Sequence, residues 1–84
     1  MQANFSKKSF FINLKGADLT NANLAGINLG KADLEHAIFE GANLQDADFT
    51  QARNLRVSQI KQAVNWQYAR YHQSLQQELG IANY

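Results

Sequence analysis

Large apolar residues recur every five positions through the first half of the chain. The residue two places before each of them is small or aliphatic, and the residue between the two is Asp or Asn in every unit except the one with Ile38. Two polar or small residues complete the unit. The large positions are Leu14, Leu19, Leu24, Leu29, Leu34, Phe39, Leu44 and Phe49, and the small positions from residue 17 onward are Ala17, Ala22, Ile27, Ala32, Ala37, Ala42 and Ala47. We predict that these two sets form the structural core.

A period of five fits neither a helix nor a straight strand. On an α-helix each step would turn the apolar residue about 140° past the last, so no face could be buried. On one strand an odd step would alternate the residues between opposite faces. A chain that runs extended for a few residues and bends once per unit directs both apolar residues inward, and Asn, Asp and Gly suit such bends. Successive bends predict coils that stack as a β-solenoid, and parallel crossovers favour right-handed winding.

The residues after the repeats have helical features. Ser58 is a candidate N-cap, and Ile60, Ala63, Val64 and Gln67 fall on one helical face. A second helix is predicted from Gln73 to Leu79, with Gly80 as its stop. We predict that these helices cover the last coil, and that the buried residues of this cap are Ile60, Val64, Trp66, Tyr71, Leu75 and Leu79.

The chain is predicted to form one domain with three parts. Residues 1–12 are a degenerate first part-coil or N-terminal cap, residues 13–54 are the repeat solenoid, and residues 55–84 are the helical cap. Phe5, Phe10, Phe11 and Ile12 leave the N-terminal end apolar, with no helical segment to cover it. This end predicts a homodimer joined through the N-terminal coils. The alternative is that residues 1–9 fold across the end as a plug.

The A-(D/N)-L-x-x series resembles the pentapeptide-repeat family. The tail is similar to the "QIKxAxNWxxAxY…LxxxLG" ending of many bacterial members. The resemblance implies an all-β solenoid, a right-handed quadrilateral β-helix of about two to three coils with a C-terminal α-helical cap, in which residues twenty apart stack. It also implies a non-enzymatic structural or protein-interaction module. Some members mimic duplex DNA with a long acidic rod and bind DNA gyrase, which gives an alternative function.

The composition excludes several kinds of chemical site and partner. The 84 residues include no Cys, which excludes disulfides, zinc–thiolate sites and thiol nucleophiles. Between Gly16 and Ala52 there are six acidic residues and one basic residue, Lys31. The flanking segments are basic, and the net charge of the chain is +1. This asymmetry is far from a nucleic-acid-binding balance, so no direct nucleic-acid partner is expected. The longest apolar run is "FFI" at 10–12, so we expect no signal peptide or membrane span and a cytoplasmic location.

One cluster of side chains has candidate chemistry. His36 lies in "DLEHAIFE" near Asp33, Glu35 and Glu40, a set that can bind a metal or move a proton. In a solenoid all four point outward, so a solvated surface is the favoured interpretation, and His72 is assigned a surface or capping role. We predict no catalytic residue, no metal and no cofactor, and an unidentified protein partner. Of the three tail aromatics Trp66, Tyr68 and Tyr71, a binding patch is less favoured than anchoring of the tail by Trp66 and Tyr71.

Overall fold

The computed structural model describes residues 12–81, and its regular elements are short. Two strands, β1 (Asp48–Phe49) and β2 (Arg70–Tyr71), form a parallel pair in which Phe49 is opposite Tyr71. Two α-helices, α1 (Val57–Ile60) and α2 (Gln73–Leu79), flank a 3-10 helix at Trp66–Tyr68. The predictions made for Phe5, Phe10, Phe11 and the plug of residues 1–9 lie outside the described residues.

The repeats stack through single parallel bridges between residues twenty apart. The bridges within the repeats join the outward Asp, Asn and Ile38 positions: Asn13 to Asp33, Asp18 to Ile38, Asn23 to Asn43, and Asn28 to Asp48. Each bridge consists of two backbone bonds; Leu14 N donates to Asp33 O at 2.9 Å and Asp33 N to Ile12 O at 2.8 Å. Because the backbone bends once in every five residues, each side is too short for a continuous strand. The one sheet assigned within residues 12–81 is the β1–β2 pair.

The bends are stabilised by the residue types that the repeat supplies. Corner residues such as Asn21 and Asp46 adopt a left-handed conformation, with φ near 60°, which Asn, Asp and Gly tolerate best. In seven of the eight repeats the outward Asp or Asn accepts a hydrogen bond from the backbone N–H two residues later, as Asp18 does from Thr20 at 3.1 Å. The Thr20 hydroxyl and N–H together lower the pKa of Asp18 below its usual value.

The inward columns form one apolar core. The large residues from Leu24 to Phe49 are buried, and so are Ala32, Ala37, Ala42 and Ala47. Phe39 and Phe49 meet edge to face, with their ring centroids 6.0 Å apart. Burial is incomplete in the first described coil, where the predicted core residues are only half-buried; these are Leu14, Ala17, Leu19, Ala22 and Ile27. Within residues 12–81 no further coil lies below them.

The tail first adds backbone to the coil and then covers the end of the coil. Arg53 bridges to Asp33, Gln62 O accepts from Gly41 N at 3.0 Å, and Val64 bridges to Asn43. The offset between stacked residues grows from twenty to twenty-one at Val64 and to twenty-two at β2, because α1 and the 3-10 helix insert extra residues. The segment predicted as a helical lid therefore includes a further level of the solenoid.

Three predictions for the start of the tail are wrong. The first helix ends at Ile60 rather than reaching Gln67, and its N-cap is Arg56, not Ser58. Val64, assigned to the buried cap, has 49% of its surface exposed. Its position explains this, since Val64 bridges to Asn43 as an outward residue of the coil and does not lie on a helix.

The second half of the tail agrees with its prediction. Helix α2 spans Gln73–Leu79 and ends at Gly80, whose φ of 74° is the left-handed C-cap conformation. Leu75 and Leu79 are buried on the inner face of α2, and Ile60 and Tyr71 are buried beneath the tail.

Candidate interaction surface

The acidic residues around His36 form an exposed charge network rather than a convergent site. His36 sits at a left-handed corner with 81% of its side chain exposed, and its Nε2 lies 3.9 Å from Glu35 Oε2. The other Glu35 oxygen lies 3.7 Å from Lys15 Nζ. Among residues 12–81 no three His, Asp or Glu side chains are placed to hold a metal ion. Within this part of the chain, the geometry offers no three-ligand metal set at His36.

Asp33, another acidic residue of the set predicted around His36, forms hydrogen bonds within the fold. Its Oδ1 accepts from Asn54 Nδ2 at 2.9 Å and from the Glu35 backbone N–H at 3.2 Å. These bonds hold the pKa of Asp33 below its usual value. Both donors bind Oδ1, so this oxygen of Asp33 is used within the fold.

His72 caps a helix. Its Nδ1 lies 2.8 Å from Ser74 Oγ and accepts from Leu75 N at 3.4 Å, at the start of α2. This matches the capping role predicted for it.

Two of the three tail aromatics pack on the core. The Tyr71 ring stacks on Phe49 with centroids 5.8 Å apart, and its hydroxyl donates to Trp66 O at 2.8 Å. Burial raises the pKa of the Tyr71 hydroxyl. Trp66 is half-buried against the core, whereas Tyr68 is exposed. Trp66 and Tyr71 anchor the tail, and Tyr68 is left as an outward aromatic.

Ile38 is the residue that the fold does not account for. It occupies the outward position that is Asp or Asn in the other repeats, and 47% of its surface is exposed. It lies in a groove beside α1 with Phe39, Glu40, Ser58 and Gln62. The repeat pattern singled out Ile38 as an outward apolar residue, but the groove depends on how α1 departs from the coil and had no signal in the repeat.

The bridges at a twenty-residue offset and the inward columns define a β-helix-type solenoid built from five-residue units. The family model for pentapeptide repeats matches eight copies over residues 12–52. The chain belongs to the pentapeptide-repeat family. Searches of curated proteins and of solved structures give no match. In residues 12–81 no helix has both the length and the apolar character needed to cross a membrane.

Proposed function

We propose that this chain is a non-enzymatic structural and protein-interaction module that acts in the cytoplasm on a protein partner. The observation that carries the proposal is how the polar side chains of the repeats are used. All seven outward Asp and Asn side chains of the eight repeats bond to the backbone of their own corner. The side chains that would serve chemistry in an enzyme are here part of the scaffold.

The scaffold itself is proposed to be a right-handed, four-sided coil. A twenty-residue offset between bridged positions equals four five-residue units per level. Right-handed winding follows from the strong preference of parallel crossovers. Such a rod presents flat outer faces, which suit contact with another protein better than enclosure of a small molecule.

The proposal includes a homodimer joined through the N-terminal coils. Leu14 and Leu19 are only half-buried by the described residues, while Leu34 and Phe39 one level above are fully buried. The backbone N–H and C=O of Asp18 have no backbone partner within residues 12–81. Two-fold association would bury both the apolar residues and this edge. Sedimentation at micromolar concentration is expected to give a dimer, and a monomer would contradict this part of the proposal.

The module is tested by affinity capture at native abundance, followed by mass spectrometry. We expect a protein partner in stoichiometric amount with the folded chain and none with Phe49→Asp, which places a charge in the core and serves as the unfolded control. Recovery of no partner, together with turnover of a substrate by the purified chain, would contradict the proposal.

A DNA-mimicking gyrase binder is the second candidate, favoured by the acidic repeat surface. Its weakness is charge density: a duplex as long as the 35 Å axis of this molecule carries roughly 20 phosphate charges, against six acidic residues between Gly16 and Ala52. Inhibition of gyrase supercoiling by a small molar excess of the chain would favour this candidate, and unchanged supercoiling at large excess would remove it.

A further inference from the structure

Ile38 lacks the side-chain hydrogen bond that stabilises the corners of the seven remaining repeats. The backbone N–H of Glu40, two residues later, has no acceptor within residues 12–81, whereas the corresponding N–H groups of the other seven repeats bond to Asp or Asn. The substitution therefore removes a turn bond and exposes an aliphatic side chain. A residue that departs from the repeat pattern and gains no stabilising contact is a candidate functional position.

Two other outward positions also lack Asp or Asn, but there the next residue is an Asn whose side chain bonds to the level below. Arg53 is followed by Asn54, whose Nδ2 donates to Asp33 Oδ1 at 2.9 Å. Val64 is followed by Asn65, whose Nδ2 donates to Asn43 Oδ1 at 2.9 Å. Ile38 is followed by the buried Phe39, which offers no such bond. Ile38 thus differs from Val64, although the two side chains are almost equally exposed.

The groove beside Ile38 arises because the column of bridges stops there. Asp18 bridges to Ile38, and the next level of this side is helix α1 instead of a further bridge. Gln59 of α1 turns toward the coil and bonds to the carbonyls of Leu34 and Ala37. The remaining space is lined by Ile38 and Phe39 on the coil and by Ser58 and Gln62 on the helical side, with Glu40 as its one charged lining residue.

We propose that this groove binds a protein partner through one apolar side chain that packs on Ile38, with an adjacent Lys or Arg of the partner paired to Glu40. The proposal rests on the interaction-module function above and names the surface and the chemistry of its partner. An apolar centre with a polar rim is the usual anatomy of a contact site. The charge of the groove selects a basic partner segment, since Lys61 on the helical side is directed to the Trp66 ring, with its Nζ 6.0 Å from the ring centroid.

The test uses two blocked pentapeptides with a central Leu, one flanked by Lys and the other by Glu, titrated into the isotope-labelled 84-residue chain. We expect the Lys peptide to shift the Ile38 methyl and Glu40 amide resonances saturably, and the Glu peptide to leave them unchanged. Ile38→Asn should weaken binding by about tenfold or more, because an aliphatic contact is lost. Glu40→Gln should weaken binding and reduce its dependence on salt.

The controls separate binding from folding. Ile38→Asn restores an acceptor for the Glu40 N–H, so its melting temperature should be no lower than that of Val64→Asn, the matched change at an equally exposed site. Val64→Asn should bind the Lys peptide like the wild type. Equal affinity of Ile38→Asn and wild type for the Lys peptide, or no saturable shift at all, would overturn the groove proposal.

Two outcomes distinguish this inference from the proposed function. If folded Ile38→Asn still captures the same native partner as the wild type, the groove proposal fails and the interaction module stands. If the wild type captures no partner and the purified chain turns over a substrate, the proposed function fails whatever the peptides do. Loss of a dimer in Ile38→Asn by sedimentation would assign the groove to a second copy of the chain and would also overturn the proposal.

Discussion

Gln59 should contribute more to stability than any exposed residue of the tail. Its Nε2 donates to Leu34 O at 2.9 Å and to Ala37 O at 2.8 Å, and its Oε1 accepts from Arg56 N at 2.8 Å. One side chain thus bonds to three backbone groups at the point where α1 replaces a side of the coil, and one of them, Leu34 O, also accepts from Ala37 N at 3.0 Å. Gln59→Leu keeps the approximate size of the side chain and removes all three bonds.

The expected loss follows from the number of bonds and their exposure. A neutral hydrogen bond contributes about 0.5–1.5 kcal/mol net, and Gln59 is half-buried, so water compensates in part. We expect Gln59→Leu to lower the free energy of unfolding by about 2–3 kcal/mol. For a domain of this length such a loss corresponds to a decrease of about 8–24 °C in melting temperature.

The measurement is urea unfolding at neutral pH, with the melting temperature followed by circular dichroism. Gln67→Leu is the matched control, because Gln67 is exposed and its side chain makes no hydrogen bond within the described residues; it should stay within about 0.5 kcal/mol of wild type. If Gln59→Leu is no more destabilised than Gln67→Leu, the side-chain hydrogen bonds of Gln59 do not stabilise the fold as proposed.

The variant Gln59→Glu tests the same contacts through the pH dependence of its stability. The Gln59→Glu carboxylate would face two carbonyl oxygens, and this repulsion raises its pKa in the folded state above the usual value of about 4.3. The folded state then binds the proton more tightly than the unfolded state, so the variant loses stability as the pH rises above about 4. Its deficit relative to wild type should therefore shrink on acidification; a deficit that grows would contradict the assignment.

Two further pairs of substitutions test the stacking and the core. Gly41→Ala should be more destabilising than Gly26→Ala, although both glycines have φ of 71°, because a Cβ at Gly41 would force the Asn21 side chain to move and one at Gly26 would meet nothing within 4 Å; equal melting temperatures would contradict this prediction and show that Asn21 moves aside at no cost. Ala32→Leu should cost about 1–3 kcal/mol by overpacking a fully buried position, whereas the outward Gln45→Ala should cost less than about 0.5 kcal/mol in the same urea experiment.

The repeats could be predicted from the sequence because each five-residue unit contains the residues that determine its own conformation. The residue at each bend, the inward pair and the outward Asp or Asn are set within five residues, so Leu29 and Ala42 could be assigned to the core without knowledge of the rest of the chain. The same locality explains the success with α2, where Leu75, Leu79 and Gly80 give both the face and the end of the helix.

The path of the first half of the tail could not be predicted, because it is decided by contacts distant in sequence. The spacing of Ile60, Ala63, Val64 and Gln67 is helical in isolation. In the folded chain the open edge of the coil at Asn43 pairs with Val64 instead, and Leu44 N donates to Val64 O at 3.0 Å. Backbone groups left at the edge of a solenoid outweigh a weak local helical preference.

The two exposed aliphatic residues on the outer surface have different meanings, although their exposure is alike. Val64 stands where the register shifts by one residue, and Asn65 takes over the polar bond to the level below. Ile38 stands within an unbroken register, with Asp18 below it, and the next residue, Phe39, makes no polar bond to the level below. Exposure alone would rank them equally, but Val64 is followed by an Asn that bonds to the level below, and Ile38 is followed by a buried Phe that does not. In a protein whose repeats otherwise serve its own coil, that position is where selection for a partner is expected to act.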